Sequence, residues 1–80
     1  MGYRLTPVVS SIISTLKKHN LEIKRIRGDH IIINRISGLP SLKRPIVLVN
    51  VKRLSNAVRL NLLRECEELG IKREEFERIF

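Results

Sequence analysis

Two histidines occur in the 80-residue chain, and one of them has neighbours suited to chemistry. His30 directly follows Gly28-Asp29 and has Arg25 and Arg27 close by in sequence. An imidazole with an unperturbed pKa of about 6.5 can take up or release a proton near neutral pH. Guanidinium groups stabilise negative charge that develops on a phosphate. The combination suits proton transfer at a phosphodiester, with His30 as the candidate acid or base and Arg25, Arg27 and Gly28 as candidate phosphate contacts. Asp29 has three readings. It could orient the imidazole, it could repel a phosphate, or it could simply form the turn; the last needs neither of the others. His19, at a helix end, reads only as a cation suited to the helix macrodipole.

Five further cations are candidate contacts to a polyanion: Lys43, Arg44, Lys52, Arg53 and Arg59. Lys52 and Arg53 precede a predicted helix, whose free N–H groups could meet a phosphate together with them. The overall balance points the same way. Sixteen Lys and Arg oppose eight Asp and Glu, for a formal charge of +8. The distribution is uneven: residues 1–64 carry 13 basic and 2 acidic residues, whereas residues 65–80 carry 3 basic and 6 acidic. A field of this kind attracts polyanions and releases their condensed counterions. A membrane surface is not expected, because no segment joins a basic face to bulky interfacial aromatics.

The elements that must position these residues follow from periodicity. Thr6-Pro7 reads as a helix start, with Thr as cap and Pro at the first helical position. Val8, Val9, Ile12, Ile13 and Leu16 then recur at helical spacing, and Asn20 is a reasonable stop. Leu21 to Arg27 alternates imperfectly and reads as a strand, with Leu21 and Ile23 facing one way and Glu22, Lys24 and Ile26 the other. Gly28-Asp29 is a two-residue turn signal. His30 to Ile36 is a second strand, with Ile31 and Ile33 assigned to the core and His30, Ile32 and Asn34 sent outward. Ile46-Val47-Leu48-Val49 is a third strand. A second helix begins at Leu54-Ser55, capped by Ser55 or Asn56, with Leu54, Val58, Leu62, Cys66 and Leu69 as its apolar stripe and Gly70 as its C-terminal glycine. A short final helix is expected from about Lys72 to Phe80. The order is α-β-β-β-α with a terminal helical extension. An antiparallel three-stranded sheet of this kind needs both helices on one face. The class is α+β, in a single domain over residues 1–80.

Composition narrows the rest. Only Tyr3, Phe76 and Phe80 are aromatic, so the core is built of Ile, Leu and Val and the strands offer no ring for base stacking. The lone cysteine, Cys66, excludes an intramolecular disulfide and any multi-cysteine zinc site, and its apolar spacing reads as a buried thiol. No metal and no cofactor is expected. No stretch approaches the roughly 20 apolar residues of a membrane span, and Met1 to Thr6 has no apolar signal core. The expected location is cytoplasmic.

The α-β-β-β-α order resembles the double-stranded-RNA-binding-domain fold, and within it the chain resembles the HicA toxins of bacterial toxin–antitoxin pairs. The resemblance runs from about Thr6 to Phe80. It is densest over L-E-I-K-R-I-R-G-D-H, where Arg25, Gly28 and His30 fall in the places of the family's Arg, Gly and His. The stretches L-L-R-E-C-E-E-L-G-I and I-K-R-E-E-F are also similar to that family's second helix and finish. The chain departs from the pattern at Asp29, where the family has Ser, and at Val49-Asn50-Val51-Lys52, which replaces an exit with Pro and His. Its Ser37–Arg44 loop is longer than usual.

The resemblance implies a ribosome-independent, metal-independent endoribonuclease that cleaves messenger RNA or other single-stranded RNA. It implies His30 as the catalytic residue and a HicB-like antitoxin as protein partner. The RNA-binding set is then Arg25, Arg27, Gly28, Lys43, Arg44, Lys52, Arg53 and Arg59, with Asp29 as modulator. Two alternatives stay open. One is a non-catalytic RNA-binding module of the same fold, either an attenuated toxin or a binder of double-stranded RNA. The other is an interaction protein whose basic face docks an acidic partner.

Overall fold

Thr6 caps the first helix in the computed structural model, which describes residues 4–80. Its Oγ1 accepts from the Val9 N–H at 3.4 Å, and Pro7 opens helix α1 (Pro7–Lys17). The loss of one N–H at Pro7 costs nothing there, since the first-turn donors have no partner within a helix. Val9, Ile12, Ile13 and Leu16 are buried along one face. Asn20 ends the turn with φ +63°, the left-handed region that Asn tolerates better than most residues. Met1, Gly2 and Tyr3 lie outside the described residues, and with them one of the three aromatic side chains and the start of the Met1–Thr6 stretch.

Three strands follow: β1 (Leu21–Arg27), β2 (His30–Arg35) and β3 (Ile46–Val49). They form one antiparallel sheet in the order β1-β2-β3. Helix α2 (Asn56–Glu68) comes next, capped by Ser55, whose Oγ accepts from the Val58 N–H at 3.2 Å. Its C-terminus closes as a Schellman motif. The Gly70 N–H donates to the Glu67 carbonyl and the Ile71 N–H to the Cys66 carbonyl, at 3.0 and 2.9 Å. Gly70 makes this possible with φ +84°.

Ile31, Ile33, Ile46 and Leu48 point from one sheet face into a core shared with Val9, Ile12 and Leu16 of α1 and Leu62 and Cys66 of α2. Both helices therefore cover that face. The other face is open: Val47 is 49% exposed and Ile32 only half-buried.

Three expectations need correction. The Lys72–Phe80 helix is only a short 3-10 turn, η1 (Arg73–Phe76), followed by single turns. Phe76 is 1% exposed and plugs the core, and its ring stacks on Phe80 with centroids 6.0 Å apart. A segment that must deliver Phe76 into the core and fold Phe80 back over it has no length left for a regular helix. Val58 is exposed rather than part of the α2 stripe. The core at that end is closed by Leu54, ahead of the cap. Ile26, assigned to the same face as Glu22 and Lys24, faces the core instead, for a reason that also builds the site.

Candidate functional site

Strand β1 contains one residue more than its partner can match. Ile23 pairs with Ile33 and Arg25 with Ile32, so Lys24 is an extra residue, a β-bulge. Residues directly opposite in an antiparallel pair share a face. Before the bulge Leu21 and Ile23 face the core. After it the phase is reversed, and Ile26, opposite Ile31, faces the core in its turn. Arg25 and Arg27 are thereby placed on the open face. In an unbroken strand they would share the side of Leu21 and Ile23 and point under the helices. One inserted lysine moves two arginines into solvent.

The turn completes the arrangement. Gly28 has φ +60° and Asp29 does not share its positive φ, the type II′ pattern that matches strand twist. This tight link makes Arg27 and His30 direct cross-strand partners. Their Cβ atoms are therefore about 5 Å apart on the open face, with Arg25 on the next row about 7–8 Å from His30. The His30 side chain is 58% exposed, and Asp29 Oδ1 lies 3.0 Å from its Nδ1. That contact leaves Nε2 as the ring nitrogen turned to other work. Val49, opposite His30 on β3, completes the row Arg27–His30–Val49.

Asn50 locks this end of the molecule. Its N–H donates to the Asp29 carbonyl at 2.7 Å, its Oδ1 accepts from the Thr6 N–H at 2.9 Å, and its Nδ2 donates to the Arg4 carbonyl at 2.9 Å. Thr6 Oγ1 adds a bond to the Val51 carbonyl at 2.7 Å. The turn, the strand exit and the start of α1 are thus held together, and exposed Arg4 joins the same end. Sequence reasoning missed Asn50, Arg4 and Lys24 as site residues. Only the unusual Val49–Lys52 exit hinted at the first.

The other predicted cations are not gathered here. Lys43 and Arg44 precede Ile46, which pairs with Ile33, at the far end of the sheet from His30. A six-residue strand such as β2 separates the ends by roughly 20 Å. They line a groove of about 570 Å³ against Arg64, Glu65 and Glu68 of α2. Arg59 belongs to the helix layer: its guanidinium lies 5.7 Å from the Phe80 ring centroid and bonds Asn56. Lys52 lines a shallow groove with Pro7, Ser11 and Arg78, on the helix side of the turn end. Arg53 is exposed in the bend beside it. The N–H of Val58 is already taken by Ser55, so α2 offers a phosphate less than a bare helix start would. His19 has a role beyond the macrodipole, pairing its Nε2 with Glu75 Oε1 at 2.7 Å and tying the C-terminal turn to α1.

Cys66 is fully buried, and burial first, with the charges of Glu65 and Glu75 second, pushes its thiol up to about 12. It is a packing residue. No helix among the described residues is long and apolar enough to cross a membrane. Compared with known proteins, the chain matches no family model, no curated protein and no solved structure.

Proposed function

We propose that the chain is the toxin of a type II toxin–antitoxin pair, a HicA-type endoribonuclease that cuts messenger RNA in the cytoplasm without a metal. The observation that carries the reading is the exposed His30 directly across from Arg27, at the rim of an open sheet face that also bears Arg25 and Lys24. Cleavage of this kind takes its nucleophile from the RNA. The ribose 2′-oxygen attacks the adjacent phosphorus, His30 Nε2 removes the 2′ proton, and the bond to the 5′-oxygen breaks. The same imidazole, now protonated, returns the proton to the departing 5′-oxygen, leaving a 2′,3′-cyclic phosphate. Arg27 and Arg25 offset the charge gathered on the phosphate oxygens. One imidazole serving both steps makes a slow enzyme, which is enough for growth arrest. With no aromatic side chain on the strands, RNA is held by its backbone and shape, with weak sequence preference.

The test is cleavage of single-stranded RNA by purified protein in the presence of a chelator. His30→Ala should lower the rate by about 100-fold or more, the scale of lost general acid–base catalysis. RNA affinity and melting temperature should stay close to wild type. Equal cleavage by the variant removes His30 from the mechanism. A HicB-like antitoxin as partner predicts that co-expression of a neighbouring reading frame relieves toxicity.

One observation favours a second reading, a non-catalytic RNA-binding module of the same fold. The Asp29 carboxylate lies 3.0 Å from the imidazole, close to where a scissile phosphate would sit. RNA binding without any cleavage by the wild type would establish that reading instead.

A further inference from the structure

The two edges of the sheet are built differently. Soluble proteins guard an exposed edge with charges, bulges or proline. β1 has all but the last: the bulge at Lys24, the Lys24–Glu22 ion pair at 2.7 Å, and Arg25 and Arg27 beyond it. β3 reads Ile46-Val47-Leu48-Val49, with neither charge nor bulge, and Val47 is 49% exposed.

The phase of the β2–β3 ladder shows which backbone groups face outward. In an antiparallel pair, residues that exchange hydrogen bonds alternate with residues that do not. The bond from the Asn50 N–H to the Asp29 carbonyl sets the phase, with His30 opposite Val49 and Ile31 opposite Leu48. Ile46 and Leu48 therefore bond inward to β2, and Val47 and Val49 turn their N–H groups to the edge that no strand among the described residues covers. The Val49 carbonyl is taken by the Val51 N–H at 2.9 Å. Among the described residues no hydrogen bond outside the ladder reaches the backbone of Val47.

Charge selects the occupant. Lys43 and Arg44 stand just before this strand, and Lys52 and Arg53 just after it, all exposed. A second copy pairing Val47 with Val49 would bring Lys43 and Arg44 of one chain towards Lys52 and Arg53 of the other. That would gather four cations at each end of the new ladder, and like charges directly opposite are destabilising. An apolar stretch without charged ends would leave Lys52 and Arg53 unanswered, and Lys43 and Arg44 with only Glu65 and Glu68 across their groove. We propose that the free edge of β3 receives an extended segment of a partner protein, apolar at alternate positions and acidic at both ends. Main-chain bonds to Val47 and Val49 supply the affinity, and the flanking cations supply selectivity and direct the approach.

The docked strand lies two strand spacings from β2, about 9–10 Å. An acidic side chain at its Val49 end would reach towards the Arg27–His30 row and compete with phosphate there. That inhibitory consequence rests on the function proposed above; the docking itself does not.

The test uses the full chain and a synthetic peptide of alternating valine and threonine with paired glutamates at each end. Binding is followed by amide chemical shifts and hydrogen exchange. The expected result is slowed exchange at Val47 and Val49, with about tenfold weaker binding for a peptide ending in lysines. N-methylation of the peptide amides that face β3 should also cost about tenfold, the scale of one or two lost hydrogen bonds. Val47→Pro removes an outward N–H without touching the ladder to β2 and should act likewise; the N-methylated peptide on the wild type tests the same bond should that variant not fold. Equal binding of the N-methylated peptide, shifts centred on β1 or the helices, absence of binding at low salt, or a wild type already dimeric through β3 would each overturn the proposal. RNA cleavage is measured separately, so a silent nuclease with a working peptide site leaves the docking inference standing.

Discussion

Asp29 carries a charge 3.0 Å from His30 Nδ1, and its removal tests what the carboxylate does to an approaching polyanion. Asp29→Asn keeps the size and a turn-forming side chain while deleting the charge. RNA affinity at low salt should rise about two- to threefold, and the gain should shrink as salt screens the exposed pair. An unchanged affinity would make Asp29 a turn residue only. Cys66 gives a residue-scale prediction of the opposite kind, about the interior. Burial disfavours the thiolate and pushes the thiol up to about 12 from the ordinary 9.0. The folded state thus keeps a neutral thiol where the unfolded chain would ionise. The stability linked to it is complete below pH 9 and is lost as pH rises towards 12. Unfolding free energies measured between pH 9 and 11 should fall less steeply for Cys66→Ala than for wild type. Alkylating reagents should label Cys66 only on unfolding.

The bulge in β1 makes a prediction at the scale of an element. Removing Lys24 leaves Leu21, Glu22, Ile23, Arg25, Ile26 and Arg27 in strict in-out alternation, so the deleted chain should fold, with both arginines still on the open face. Removing Ile26 instead makes Arg25 and Arg27 neighbours in the strand, so one of the two must turn under the helices, and should abolish the cooperative thermal transition. Circular dichroism melts distinguish the two. Gly70 is a second case: a methyl group added there would meet nothing within 4 Å, so Gly70→Ala tests backbone conformation alone and should cost about 1 kcal/mol. Caps and turns such as Thr6-Pro7, Ser55, Gly28-Asp29 and Gly70 were legible in the sequence because their chemistry is local. So was the exposed position of His30, which follows from burying Ile31 and Ile33. The bulge was not, because L-E-I-K-R-I-R fits an unbroken strand until a partner strand sets its register. The scatter of the cations was not legible either. Lys43 and Arg44 read like Arg25 and Arg27 in a linear chain, and only the antiparallel return of β3 puts them at opposite ends of the sheet.

Cations stand on both sides of the molecule as a whole. The open sheet face presents Lys24, Arg25 and Arg27, while on the helix side the six acidic residues of 65–80 are interspersed with Arg59, Arg64, Lys72, Arg73 and Arg78. Salt titrations of RNA binding should tell the two sides apart. Arg25→Ala and Arg27→Ala should each lower the slope of log affinity against log salt by about one. Arg59→Ala should leave the slope alone, because its guanidinium faces Phe80 rather than the sheet. Equal loss of slope for all three would extend the RNA contact from the sheet to the helix layer. The pinned turn has a consequence for motion. Arg27 and His30 are joined through two residues, and the turn is tied through Asn50 to the start of α1. Bending at the hairpin tip therefore carries imidazole and guanidinium together, and the distance between them outlasts the bending.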